Sequence, residues 1–135
     1  MTKRIEPGPG QESVWDYPRP PAIEPVEERL RVVFNGVTIA DTTNAFRILE
    51  TSHPPTYYLP PTDIDMDYLH RESRTSMCEY KGRAVYYGVT VGDRTAQQAA
   101  WAYPSPSGRY ADLADHISFY ASKMDACYVG DEEAH

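Results

Sequence analysis

The sequence predicts a mainly β domain of compact antiparallel sheets, with one short helix and a Pro-rich N-terminal arm. Three observations predict it. "LRVVF-NG-VTIADT" sets Asn35-Gly36 between two β-branched runs, which suits a two-residue type I′ hairpin turn. Gly92-Asp93 divides two further long runs, Ala84 to Val91 and Arg94 to Tyr103, in the same manner. Only "YADLADHISFY" (110–120) carries a helical repeat, with Leu113, Ile117 and Tyr120 at i, i+4 and i+7.

Taken in order, residues 1–28 form the arm, with prolines at 7, 9, 18, 20, 21 and 25. Proline fixes φ and lacks a donor, so this stretch favours extended or polyproline-like backbone. Trp15 and Tyr17 gain from burial, which predicts a strap over Trp15 to Pro21 docked on the domain or on a second subunit. A single β domain spans 29–130. After the first hairpin, "AFRILE" reads as a third strand ending at Glu50, and "TYYL" as a short one. "TDIDMDYL" alternates polar with apolar, which would set Asp63, Asp65 and Asp67 on one strand face. In 94–103 the Gln97-Gln98-Ala99-Ala100 run accepts a helix, but its hairpin partner favours strand. "MDACYV" closes the domain and 131–135 is a solvated acidic tail.

Composition bounds function. At 135 residues the chain suits one domain. The net charge of −7 argues against nucleic acid, whose phosphates ask for Lys and Arg. No apolar run approaches the roughly 18 residues of a membrane helix, and "MTKRIEPGPG" has no apolar h-region, so a cytoplasmic location is expected. Cys78 and Cys127 stand about fifty residues apart and no CxxC pair occurs, so both read as packed thiols.

The candidate site centres on "ETSHPPTYYLPPTD". Glu50 and His53 can supply acid–base chemistry near neutral pH, or can pair an arginine and cap a turn. Tyr57 and Tyr58 must point to opposite faces of a strand, one to the core and one to a cleft. Lys81 can hold a phosphate or carboxylate as a point charge, or sit exposed at its turn. Trp101 follows two alanines, which leave room for a ligand ring or for Trp15. The aspartate run, Asp63 above all, is a weak metal candidate, because no Gly-Ser turn precedes it as in polymerase-like nucleotidyltransferases. His116 and His135 have no expected role.

"ESVWDYPRPP", "ETSHPPTYYLPPTD", "CEYKGRAVYY", "AAWAYPSP" and "ISFY...DACYV", in this order, closely resemble domain-of-unknown-function family 427, also labelled nucleotidyltransferase-like domain. The resemblance covers about residues 12–130. It implies antiparallel sheets of β-tent-like type, and it matches Glu50, His53 and Lys81 to family motifs. Gln98, before Ala-Ala-Trp, departs from the pattern. The expectation is a small-molecule pocket lined by Glu50, His53, Tyr57, Tyr58, Lys81 and Trp101. Glu50 or His53 would act as acid or base on an anionic or nucleotide-like ligand, with no cofactor called for. The alternatives are a non-catalytic homodimeric scaffold module and, more weakly, Mg²⁺-dependent nucleotidyl transfer.

Overall fold

The computed structural model describes residues 22–49, 55–78, 81–106 and 108–134. The chain is mainly β, with eleven strands in three antiparallel sheets among these residues and helix only as short 3₁₀ turns. The first sheet holds β1 (Ala22–Pro25), β4 (Phe46–Leu49) and β5 (Thr56–Tyr58), in the order β1-β4-β5. In the second, β2 (Leu30–Phe34), β3 (Val37–Thr42), β10 (Ala126–Val129) and β11 (Glu132–Ala134) run β11-β10-β2-β3. The third is β6 (Leu69–Cys78), β7 (Gly82–Val91), β8 (Arg94–Ala102) and β9 (Ile117–Phe119), in chain order.

Both hairpins form where their turn residues place them. Asn35 (φ 48°) and Gly36 (φ 75°) both take the left-handed conformation that a type I′ turn needs. The turn also joins sheets: the Asn35 side-chain amide donates to the Val91 carbonyl at 2.8 Å, and the Gly36 N–H donates to the Asp125 carboxylate at 3.1 Å. Arg94, just past the Gly92-Asp93 turn, pairs with the same carboxylate.

Four local expectations are corrected. The helix over 110–120 does not form: a 3₁₀ stretch covers Gly108–Leu113, Asp115 turns left-handed at φ 60°, and Ile117–Phe119 is strand. A helix would put Leu113 and Ile117 on one face, whereas they pack in different cores and Ile117 spends its backbone bonds on Leu59. The aspartate run is not a strand either. Pro60 and Pro61 offer no donors, and the chain winds through two 3₁₀ turns, Pro61–Asp63 and Met66–Tyr68. Ala22–Pro25, inside the segment read as arm, pairs with β4 from Ala22↔Leu49 to Pro25↔Phe46. Finally, Glu132–Ala134, inside the segment read as a solvated acidic tail, pairs with β10 as an edge strand. Trp15 and Tyr17 lie outside the described residues.

Two apolar cores result. In the first, Leu30, Val32, Phe34 and Ile39 of the second sheet pack on Val85, Val89, Ala100 and Ile117 of the third. In the other, Ile48 and Tyr58 of the first sheet meet Ala84, Tyr103, Tyr110 and Leu113. Each fully buried Val, Leu, Ile or Phe contributes about 1.5–3 kcal/mol against exposure. The third sheet therefore serves both cores, and its β8–β9 edge is where they adjoin.

Candidate functional site

At that edge, among the described residues, the backbones of the first and third sheets are joined at one bridge. Leu59 and Ile117 exchange two backbone bonds, each 2.8 Å, in an isolated antiparallel bridge. Beyond it β5 and β9 pair no further. The gap is a cavity of about 290 Å³, lined by residues of both strands and roofed by Leu30, Val32 and Val129 of the second sheet. Trp101 and Tyr120 form an aromatic wall, their ring centroids 4.4 Å apart.

The alternation of β5 sorts the tyrosines. Tyr57 lines the cavity and packs on the first core, while Tyr58 is 2% exposed in the second. Tyr58 is not a cavity residue but a support: its hydroxyl accepts from the Trp101 indole N–H at 3.2 Å, with the rings edge-on. Trp101 thus stands between the cavity and a cluster of buried phenols. Tyr103 lies 6.2 Å from Tyr58, centroid to centroid. Burial first, then the neighbouring Tyr58 and Cys78, push the Tyr103 hydroxyl far above the ordinary phenol range.

Lys81 belongs to this second cluster. It is 3% exposed, against the exposed-turn alternative, and its amine stands 5.7 Å from the Tyr103 ring centroid. It is not part of the cavity lining, so Lys81 and Tyr57 do not meet; Trp101, Tyr58 and Tyr103 lie between them. Glu50 and His53 lie outside the described residues. The chain leaves β4 at Leu49 and re-enters at Pro55, which lines the cavity.

The acidic run is occupied with turns. Asp63 accepts from the Thr42 hydroxyl at 2.6 Å, and Asp65 accepts from the Asp67 N–H. Among the described residues no three His, Cys, Asp or Glu side chains gather where an ion could be held. Their shared face depended on a strand that does not form.

Tyr120 and Cys127 are among the cavity residues that the sequence does not single out as such. The spacing of Leu113, Ile117 and Tyr120 sets Tyr120 on a helix face, although Ser118 and Tyr120 also fit a period of two. Cys127 is a free thiol in the lining, pushed up to about 11 by burial and, secondarily, by the Glu133 carboxylate. It is protonated at neutral pH and a poor nucleophile there.

The sequence model of a family described as "Domain of unknown function (DUF427)" matches residues 22–130. This chain belongs to the DUF427 family. The match begins at β1 and ends at the turn after β10, so it takes in every strand that builds the cavity. No curated protein matches this DUF427 chain. Among its described residues no helix is long and apolar enough to cross a membrane.

Proposed function

We propose that this DUF427 domain binds a small molecule in the cavity between β5 and β9. The observation that carries the reading is the convergence of Tyr57 and Trp101, two aromatic residues able to stack on a ligand ring, on one opening lined by Leu30, Val32 and Tyr120. Ligand pockets are concave and mostly apolar, with few polar groups, and usually begin at about 300 Å³. A cavity of about 290 Å³ suits a ligand of one or two rings.

The finer part of the proposal is acid–base chemistry by Glu50 or His53, with Lys81 holding an anionic group. At Glu50 and His53 it is supported by Pro55, two residues after His53, in the lining; Lys81 is buried outside that lining, in the cluster behind Trp101, so its part in the scheme stands on its charge and its place in the motif "CEYKGRAVYY".

A thermal-shift screen of metabolites and nucleotides on the wild type, Tyr57→Ala, Trp101→Ala, Glu50→Gln and Lys81→Ala tests both parts. Each shift is read against the variant's own unliganded melting point. Hits should fade in the Tyr57 and Trp101 variants; hits undiminished in both would end the cavity reading. Anionic hits should be lost selectively in Lys81→Ala, and equal shifts there would remove Lys81 from the scheme.

A further inference from the structure

The bridge between Leu59 and Ile117 fixes what the strands beyond it present. In an antiparallel ladder, pairs that exchange two backbone bonds recur every second residue. The next such pair after Leu59–Ile117 is Tyr57 opposite Phe119. Bonds on the far side of β9 confirm the parity. Ser118 stands opposite Trp101 on β8, and the Tyr120 N–H donates to the Ala99 carbonyl at 2.9 Å. Residues 118 and 120 therefore turn to β8, which leaves the N–H and C=O of Phe119 directed at β5. On β5, Thr56 and Tyr58 stand opposite Ile48 and Phe46, and Tyr57, of the same parity as Leu59, faces β9.

That ladder pair is missing. β5 and β9 are not paired strands, and among the described residues the Tyr57 and Phe119 backbones have no partner on the sides that face each other. Both residues line the cavity. Backbone donors and acceptors in folded chains are nearly always satisfied, by protein, water or ligand. The opening is therefore edged by two donor–acceptor pairs lying in the sheet plane. Its walls above and below that plane are mostly apolar: Leu30 and Val32 belong to the first core, and Trp101, in tilted contact with Tyr120, packs against the second, while Arg31, Thr56 and Ser118 add polar groups to the lining.

We propose that the ligand is a small planar cyclic amide, a lactam, whose adjacent N–H and C=O complete the missing ladder pair at Tyr57 or Phe119 while its ring lies against Trp101 and Tyr120. A lactam holds its donor and acceptor on one edge of a flat ring, which matches an N–H and C=O presented by one strand residue. A carboxylate offers two acceptors and no donor, and a hydrocarbon ring offers neither. The inference rests on the cavity reading and names the ligand class for it.

The probe is 2-pyridone, compared with N-methyl-2-pyridone, which keeps the ring and carbonyl but has lost the donor. Both are titrated into the ¹⁵N-labelled full chain while the amide resonances are followed. The expected result is saturable movement of the Tyr57 or Phe119 amide with 2-pyridone, and binding at least ten-fold weaker for the N-methyl compound. Trp101→Ala should weaken 2-pyridone without abolishing the preference. Equal affinity for the two probes at the cavity would overturn the lactam assignment and leave the cavity reading standing. No response to 2-pyridone overturns the assignment too; if the metabolite screen also finds nothing at the cavity, the earlier reading falls with it.

Discussion

At the scale of single residues, close approach explains one glycine that the sequence does not explain. A Cβ on Gly88 would lie 2.3 Å from the His70 ring carbon Cε1, because the imidazole of His70 lies across β7 to reach the Thr90 hydroxyl at 3.1 Å. Gly88→Ala must push that exposed ring aside and break its bond, at a cost of about 1 kcal/mol. With His70→Ala already present the obstacle is gone, and the same change should stabilise by about 0.4–1 kcal/mol, since alanine narrows the unfolded ensemble. Urea denaturation of the four-member cycle reads the change of sign; a Gly88→Ala effect equal in both backgrounds would show that the ring is not the obstacle. Residue-level legibility follows the same division. The Tyr57/Tyr58 split could be read from strand alternation, and Trp101 from its small neighbours. The brace from Tyr58 to Trp101 could not, because it joins positions 43 apart.

At the scale of elements, legibility depended on whether local chemistry or tertiary pairing decided the backbone. Asn35-Gly36 announces its turn, since few residues accept positive φ twice in succession. The 110–120 segment has an apolar spacing that fits a helix, whereas its backbone is decided by distant partners: Leu59, which Ile117 bonds, and β8, where Ala102 stands opposite Ile117. β8 was read correctly as strand but its irregularity was not. Gln98 sits at φ 49° where the β7–β8 register shifts, and its N–H is held by the Glu72 carboxylate. This is a bulge in β8. Left-handed backbone costs a non-glycine residue about 1–2 kcal/mol, part of which glycine returns through its own entropy. Gln98→Gly should therefore stabilise by up to about 1 kcal/mol, despite the loss of the exposed Arg74 contact, and Gln98→Val should destabilise by more than about 1 kcal/mol. Denaturation midpoints check both, and a destabilised glycine variant would mean that the Arg74 contact outweighs the strain.

At the scale of the whole molecule, the cavity and the buried phenols come from one arrangement, a third sheet shared between two cores. No local pattern shows that β5 and β9 meet at one bridge and then part, so the opening could be anticipated as a pocket but not placed. The same arrangement sets the pH limits of stability. On the alkaline side, burial raises Tyr103, Tyr120 and Cys127 above their ordinary values. A raised acid favours its neutral form in the folded state, so its contribution is complete below the unfolded value and is lost as pH climbs toward the folded one. With ordinary thiol and phenol values near about 8.5 and 10, the decline should begin at about pH 9. On the acid side, Asp41 is held low by the hydrogen bond from Arg29, and Asp125 first by the Gly36 N–H and then by Arg94. Those contributions are present above the unfolded carboxylate range and fade as pH falls below about 4. Both aspartates are solvent-facing, whereas Tyr103 is buried, so the alkaline arm should be the steeper. Tyr103→Phe keeps the ring and removes the titrating hydroxyl, and in a pH series of denaturation midpoints it should flatten the decline above about pH 10 while leaving the acid arm unchanged. A variant that loses stability as steeply as the wild type in that range would show that Tyr103 does not set the limit, and would move the alkaline sensitivity to Cys127 and the cavity wall.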